Sequence, residues 1–201
     1  MAIRKLPLLV ASLAVVLLGG ADDPAKGQKQ KDKDPQATYE PRSRPGVGQK
    51  FLEKFVGDWD VQKSFFPRSG EPFRVNGECK QEMTHEGRFL KSEFTFGTGA
   101  AKTTGTGTIG FEADSGKFTS VWVDSRATRM SFRQSADKFN GEEIVLFSKS
   151  LEPGGESRRS RTVTRLEDDG NKIVHRQYSI DAEGKERLVM ELVLTRKTTK
   201  P

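Results

Sequence analysis

Apolar and polar residues alternate through most of the chain after residue 49, in short runs separated by turn-forming residues. In the last run the even-numbered positions are apolar, namely Leu188, Met190, Leu192 and Leu194. A period of two residues is typical of a strand that buries one face. Turn signals such as PRSGEP (67–72) and DAEGK (181–185) recur between the runs. About ten antiparallel strands at hairpin spacing predict an all-β fold, either an up-and-down barrel or a sandwich.

One segment before the first strand has a different period. GQKFLEKFVG places Phe51, Leu52 and Phe55 at helical spacing, which predicts one short helix. The roughly 150 residues that follow the start of this segment are enough for a single well-buried domain. We therefore expect one domain over 49–197 and a short tail over 198–201.

The N-terminal residues have the pattern of a targeting signal and not of a folded domain. Arg4 and Lys5 precede an apolar run over 6–18, and small residues lead to Ala21. This run is shorter than the about 20 residues that cross a bilayer. The pattern predicts a signal peptide over 1–21 that is cleaved after Ala21, so that the mature protein is secreted or periplasmic without stable membrane insertion. An uncleaved anchor is the alternative.

Residues 22–48 mix charges of both signs with Pro, Gly and Gln, which predicts a disordered linker. The net charge is +6, but acidic and basic residues are interspersed along the chain. A protein that binds nucleic acid clusters its basic residues on one face, so we expect no nucleic-acid partner. Cys79 is the only cysteine, which excludes an internal disulfide, and its phase with Val75 and Met83 predicts a buried side chain.

Gly105, Gly107 and Gly110 match the G-x-G-x-x-G spacing of a dinucleotide-binding loop. That loop requires a helix directly after the glycines, because the helix N-terminus holds the phosphates. Here FEADSGKFTSVWV follows, which predicts a strand end, a turn and another strand. We therefore interpret the glycines as strand positions where a side chain would be crowded.

Several motifs carry a family resemblance: FLEKFVGDWDV, GRFLKSEF, GTGTIGFEADSGKFTSVWVDS and VMELVLTRK. In this order they resemble the bacterial family called domain of unknown function 1579, over essentially all of 49–197. That family is similar to the calycins, the lipocalin-like barrels, and Gly57-Asp58-Trp59 matches the lipocalin G-x-W opening. The resemblance implies an up-and-down barrel closed at one end by Trp59 beneath Arg196 of the last strand.

The residue types needed for catalysis are sparse. The chain has two histidines, His85 and His175, and it contains no G-x-S-x-G nucleophile elbow. A zinc site needs three or four ligands, so with one cysteine we expect no metal and no cofactor.

Polar residues that interrupt apolar faces are the candidate ligand contacts. Asp124 follows Trp122 in phase, and Arg176 lies between Val174 and Tyr178. If these faces line the barrel, Trp122, Asp124, Arg176 and Tyr178 would meet a ligand there. The alternative is that Asp124 ends its strand and Arg176 pairs with an acid on the solvent face.

Three functions stay open at this point. The first is a binding module that holds a small apolar or amphipathic ligand inside the barrel. The second is an enzyme on the same scaffold, a hydrolase or isomerase, with Asp124, Arg176 or His175 doing acid–base work. The third is a packed barrel that acts through its surface. The lack of a catalytic signature favours binding, and fold alone does not decide among them.

Overall fold

Within residues 34–151 and 157–198, which the structure (a computed structural model) describes, ten antiparallel strands close into one barrel. Each strand pairs with its neighbours in the sequence, and the last strand pairs with the first. This confirms the predicted all-β barrel with a short helix before it. The elements are α1 (Val47–Glu53), β1 (Gly57–Phe65), β2 (Phe73–Thr84), β3 (Phe89–Phe96), β4 (Thr103–Glu112), β5 (Lys117–Asp124), β6 (Ser131–Gln134), β7 (Glu143–Leu151), β8 (Ser157–Glu167), β9 (Lys172–Ile180) and β10 (Glu186–Arg196).

Helix α1 packs against one end of the barrel, called here the closed end. Leu52 is fully buried there, and Phe55, just after the helix, is nearly so. Gln49 ties the helix to β4, because its Nε2 donates to the carbonyl oxygen of Phe111 at 2.7 Å. A Cβ at Gly48 would overlap the Phe111 ring, so glycine permits this close approach. The opposite end, where the loops 66–72, 97–102, 125–130 and 181–185 lie, is called the mouth.

Strand β10 departs from the simple alternation that the sequence predicts. Its register against β9 shifts between Leu188 and Met190, so that Leu188 pairs with Tyr178 while Met190 pairs with Gln177. A bulge of this kind adds one residue to a strand and reverses its phase. The prediction that Leu188 shares the inner face with Met190 and Leu194 is therefore wrong at Leu188.

The N-terminal region contributes a separate unit that ends at Pro41. Its described part, residues 34–41, forms turns in which the Ala37 N–H donates to the Asp34 carbonyl oxygen at 3.2 Å. The predicted signal peptide (1–21) and the first part of the predicted linker lie outside the described residues. Helix α1 begins at Val47, inside the tract predicted as linker. In the described part of the chain, no helix is both long enough and apolar enough for a membrane span.

Candidate ligand-binding cavity

The glycines of β4 make room for aromatic rings. A Cβ at Gly105 would overlap the Trp122 ring, and one at Gly107 would lie 3.3 Å from it. Gly110 faces Phe89 in the same way, with 2.8 Å between the added Cβ and the ring. The glycines lie within a strand, and a turn and strand β5 follow them. Gly105 and Gly107 thus seat Trp122 inside the barrel, and the G-x-G-x-x-G spacing is not a dinucleotide loop.

The barrel interior encloses a cavity of about 350 Å³. Ligand pockets for small molecules fall in the range of about 300–1,000 Å³ and are mostly apolar with a few polar groups. Most of the wall here is aliphatic or aromatic. Its apolar side chains are Leu52, Phe55, Leu90, Phe94, Phe96, Ile109, Trp122, Ile144, Leu146, Ile173, Met190, Leu192 and Leu194.

An aromatic wall forms the part of the cavity nearer the mouth. The rings of Phe94 and Trp122 meet edge to face with 5.5 Å between centroids, and Phe96 stacks on Phe94 at 5.8 Å. Lys63 Nζ lies 4.7 Å from the Phe96 centroid and 4.8 Å from that of Phe65. Burial lowers the pKa of Lys63, an effect that the Asp124 carboxylate opposes and the Arg126 guanidinium reinforces.

Asp124 lies on the same inner face as Trp122, as the sequence phase predicts. Its carboxylate accepts a hydrogen bond from Trp122 Nε1 at 2.8 Å and two more from the backbone N–H groups of Arg126 and Ala127. Burial alone would raise the pKa of Asp124, but these hydrogen bonds and the charge of Lys63 lower it overall. The carboxylate is therefore ionised and already well supplied with donors.

Arg133 points into the cavity from β6, opposite Ser120 of β5. Its Nε is buried and has no hydrogen-bond partner among the described residues. Desolvation lowers the pKa of Arg133, and no neighbouring carboxylate opposes this effect. An arginine keeps its charge in proteins, so a partly desolvated cation lines the cavity.

His175 lies in the middle of the same wall, on β9. Its Nδ1 shares a 2.7 Å hydrogen bond with the Thr164 hydroxyl. Burial lowers the pKa of His175 to about 4, and the charge of Arg133 adds to this effect. At neutral pH the ring is uncharged, so it provides a polar contact without adding to the positive charge of the cavity.

The β2 wall carries another unsatisfied group. Gln81 Oε1 is buried without a hydrogen-bond partner in the described structure. Cys79, two residues earlier, is buried as predicted, and burial raises the pKa of its thiol to about 12. The thiol is therefore protonated at neutral pH and packs as part of the core.

Two of the four predicted ligand contacts lie elsewhere. Arg176 donates from Nε to the Glu191 carboxylate at 2.7 Å, and the Arg161 guanidinium lies 4.7 Å from the centroid of the Tyr178 ring. Both Arg176 and Tyr178 line a small outer groove instead of the cavity. The structure thus brings Trp122 and Asp124 together inside the barrel and places Arg176 and Tyr178 on its outer face, because His175 and Gln177 occupy the inner positions of β9.

Trp59 and Arg196 meet at the closed end. Trp59 is fully buried, and its Nε1 donates to the carbonyl oxygen of Phe55 at 3.0 Å. The Arg196 guanidinium lies 4.1 Å from the Trp59 ring centroid, within cation–π range. The same guanidinium donates to backbone carbonyl oxygens of Lys54, Val56 and Gly170.

The order of these elements agrees with a known sequence family. The model of the family described as "Protein of unknown function (DUF1579)" matches residues 44–196, which include α1 and all ten strands. The chain belongs to the DUF1579 family. No curated protein matches it.

Solved structures share the fold of this DUF1579 protein at low sequence identity. Rv2717c from M. tuberculosis is 15% identical with a TM-score of 0.52, and the match covers 77% of this chain and 100% of that one. The S-type phycobiliprotein lyase CPES from Guillardia theta is 11% identical with a TM-score of 0.50, over 78% of this chain and 96% of that one. At such identities the likeness establishes the barrel fold alone.

Sequence reasoning missed Lys63 and Arg133 as cavity residues. Lys63 shares its parity with Trp59 and Val61, so the rule that singled out Asp124 would also have found it. The sequence signal for an inward Arg133 is weaker, because hydropathy predicts that its neighbour Phe132 faces the interior. In the structure Phe132 is 57% exposed and Arg133 faces inward.

Proposed function

We propose that this protein is an exported binding module whose barrel holds a small amphipathic molecule. The observation that carries the proposal is the 350 Å³ interior cavity, mostly apolar and supplied with a few polar side chains. Barrels of about eight strands are either filled by their own side chains or hold one small ligand, and this ten-stranded barrel leaves part of its interior unfilled. The charged start and short apolar run of the N-terminus support the export part of the proposal.

The polar groups of the cavity favour an amphipathic ligand over a purely apolar one. Buried polar atoms are normally hydrogen-bonded, and leaving one unpaired costs about 1–3 kcal/mol. Here Gln81 Oε1 and Arg133 Nε are buried without partners on different walls of the cavity. A ligand with polar groups satisfies such atoms while its apolar part covers the aromatic wall.

Trp122 provides the test, because its ring faces the cavity. In a Trp59→Phe background, which leaves Trp122 as the only tryptophan, fatty acids, isoprenoid alcohols and porphyrins are titrated and the indole emission is followed. We expect a saturable change with at least one class, since a bound ligand displaces solvent from the ring.

Two matched variants separate binding inside the barrel from binding on its surface. Ser92→Phe adds a ring to the buried inner position and should abolish the response, whereas Glu93→Phe adds the same ring at the exposed neighbour and should keep it. Absence of a saturable response with all three classes, or an equal response in both variants, would count against an interior site.

A further inference from the structure

Arg133 is the charged group of the cavity that lacks a counter-ion. On the outer face, Arg165 of β8 pairs with Glu143 and Arg176 of β9 pairs with Glu191. Arg133 Nε is buried and has no acceptor within the described structure. Desolvating part of a charge and leaving its buried Nε without an acceptor is costly, and a bound anion would offset that cost.

The charges around Arg133 leave the cavity positive. Lys63 and Arg133 bring two cations to its described lining, and Asp124 brings one anion. Asp124 already accepts from Trp122 Nε1 and from two backbone N–H groups. Its carboxylate is therefore already hydrogen-bonded to Trp122 and to the turn after β5. Arg133 faces the interior, and its Nε has no hydrogen-bond partner among the described residues.

The position of Arg133 defines how an anion would lie. Along β6, Ser131 pairs with Trp122 and Arg133 pairs with Ser120, so Arg133 lies one inner position farther from the mouth than Trp122. The aromatic rings of Phe94, Phe96 and Trp122 cover the wall between Arg133 and the mouth. A molecule with its anionic group at Arg133 has space for an apolar body along these rings.

We infer that the ligand is a small amphipathic organic acid whose carboxylate accepts a hydrogen bond from Arg133 Nε, with its apolar body against Phe94 and Trp122. Hydrogen bonds between two charged groups are short and about twice as strong as neutral ones, so the carboxylate sets the affinity. The inference rests on the proposed function and adds to it the chemical class of the ligand.

Displacement of an uncharged fluorescent probe tests the inference. Phenylnaphthylamine is bound to the protein at neutral pH and displaced by decanoate, by decanol or by decylamine, which share one chain length and differ in the head group. In the wild type we expect decanoate to bind at least about tenfold tighter than decanol, which corresponds to about 1.4 kcal/mol, and decylamine to bind most weakly.

Arginine variants locate the effect. Arg133→Met keeps a long side chain and removes the charge, so it should lose at least about tenfold in decanoate affinity while decanol affinity stays within about twofold. Arg176→Met is the matched control on the outer face and should bind both compounds as the wild type does. Arg133→Met should also unfold at an equal or higher denaturant concentration, because it removes a half-buried cation whose Nε has no hydrogen-bond partner in the described structure.

The outcomes separate the two proposals. If decanol and phenylnaphthylamine bind but decanoate has no advantage in the wild type, the acid-binding role of Arg133 is overturned and the binding module stands. Equal losses for decanoate and decanol in Arg133→Met would overturn it as well. If none of the probes binds, the proposed function itself fails. If Arg133→Met does not fold, the wild-type comparison of decanoate with decanol decides.

Discussion

At the scale of single residues, the barrel interior shows how burial changes the chemistry of ordinary side chains. His175, Lys63 and Arg133 all have pKa values lowered by desolvation, because the wall around them is mainly apolar. The consequences differ. His175 becomes neutral at physiological pH, whereas Arg133 keeps its charge.

His175 makes the stability of the protein depend on pH. Its pKa is about 4 in the folded state and near 6.5 in the unfolded chain, so the unfolded chain takes up the proton first. The contribution of neutral His175 to the free energy of unfolding is therefore fully present above about pH 6.5 and is lost as the pH falls toward 4. The gap between the two values corresponds to a loss of about 3 kcal/mol in the free energy of unfolding.

Chemical denaturation between neutral pH and about pH 4 measures this loss. His175→Gln keeps a polar group beside Thr164 and does not titrate, so its stability should fall about 3 kcal/mol less over the same range. Carboxylates titrate in both proteins and cancel in the comparison. Parallel pH curves for the two proteins would show that His175 is not desolvated as described.

At the scale of elements, β4 and β5 act as one unit that shapes the cavity. Gly105 and Gly107 of β4 have no side chains, and the Trp122 ring of β5 lies over the strip of backbone that they leave uncovered. Gly105 pairs with Asp124 and Gly107 pairs with Trp122, so the strip, the ring and the carboxylate that holds the ring share one face. The cavity wall thus depends on two neighbouring strands having complementary volumes.

A Cβ on this strip should displace the ring. We expect Gly105→Ala to lower the free energy of unfolding by about 1–3 kcal/mol, as overpacking does in well-packed interiors. In a Trp122→Leu background the same change should cost less than about 1 kcal/mol, because the smaller side chain leaves space.

Gly107→Ala provides the milder case, since its Cβ would lie 3.3 Å from the ring in place of overlapping it. Denaturant unfolding of the wild type, Gly105→Ala, Trp122→Leu and the double variant gives the coupling energy between the two positions. A cost of Gly105→Ala that is the same with and without the indole would mean that the backbone of β4, not the ring, requires glycine.

At the scale of the whole molecule, the barrel combines one end closed by packing with an interior left partly unfilled. The closed end is held by α1 and by Arg196, which joins β10 to backbone carbonyl groups before β1 and before β9. Side chains that would otherwise fill the centre are replaced by glycine, serine and threonine at inner positions such as Gly107, Ser92 and Thr164. Because small residues take these inner positions, the barrel closes around a space that its own side chains do not fill.

Export is the prediction that concerns the whole chain. When the full sequence is expressed in a bacterium, the intact mass of the protein in the periplasmic or secreted fraction should correspond to a chain that begins at Asp22. Leu13→Arg interrupts the apolar run and should leave the full-length chain in the cytoplasm. An exported protein that retains residues 1–21 would instead support the uncleaved anchor.

Much of the fold follows from the sequence alone, because alternation and turns are local properties. Period-two runs and regularly spaced turn residues predict an antiparallel meander, and the match between Trp59 and Arg196 agrees with β1 pairing β10 at those two residues. Trp122 and Asp124 share a face for the same local reason. The break at Leu188 escaped prediction, since a bulge depends on the register with the neighbouring strand.

The tertiary structure alone decided which face of an ambiguous strand looks inward. On β9 both faces carry apolar residues, Ile173 on one and Val174 on the other, so alternation separated two faces without assigning either to the interior. Closure of the barrel turned His175 inward and Arg176 outward. On β6 it turned Phe132 outward and Arg133 inward, against hydropathy. The sequence of a strand sets the period of its two faces, but the register with neighbouring strands sets which face points inward. The inward face in turn decides which polar groups meet inside the cavity.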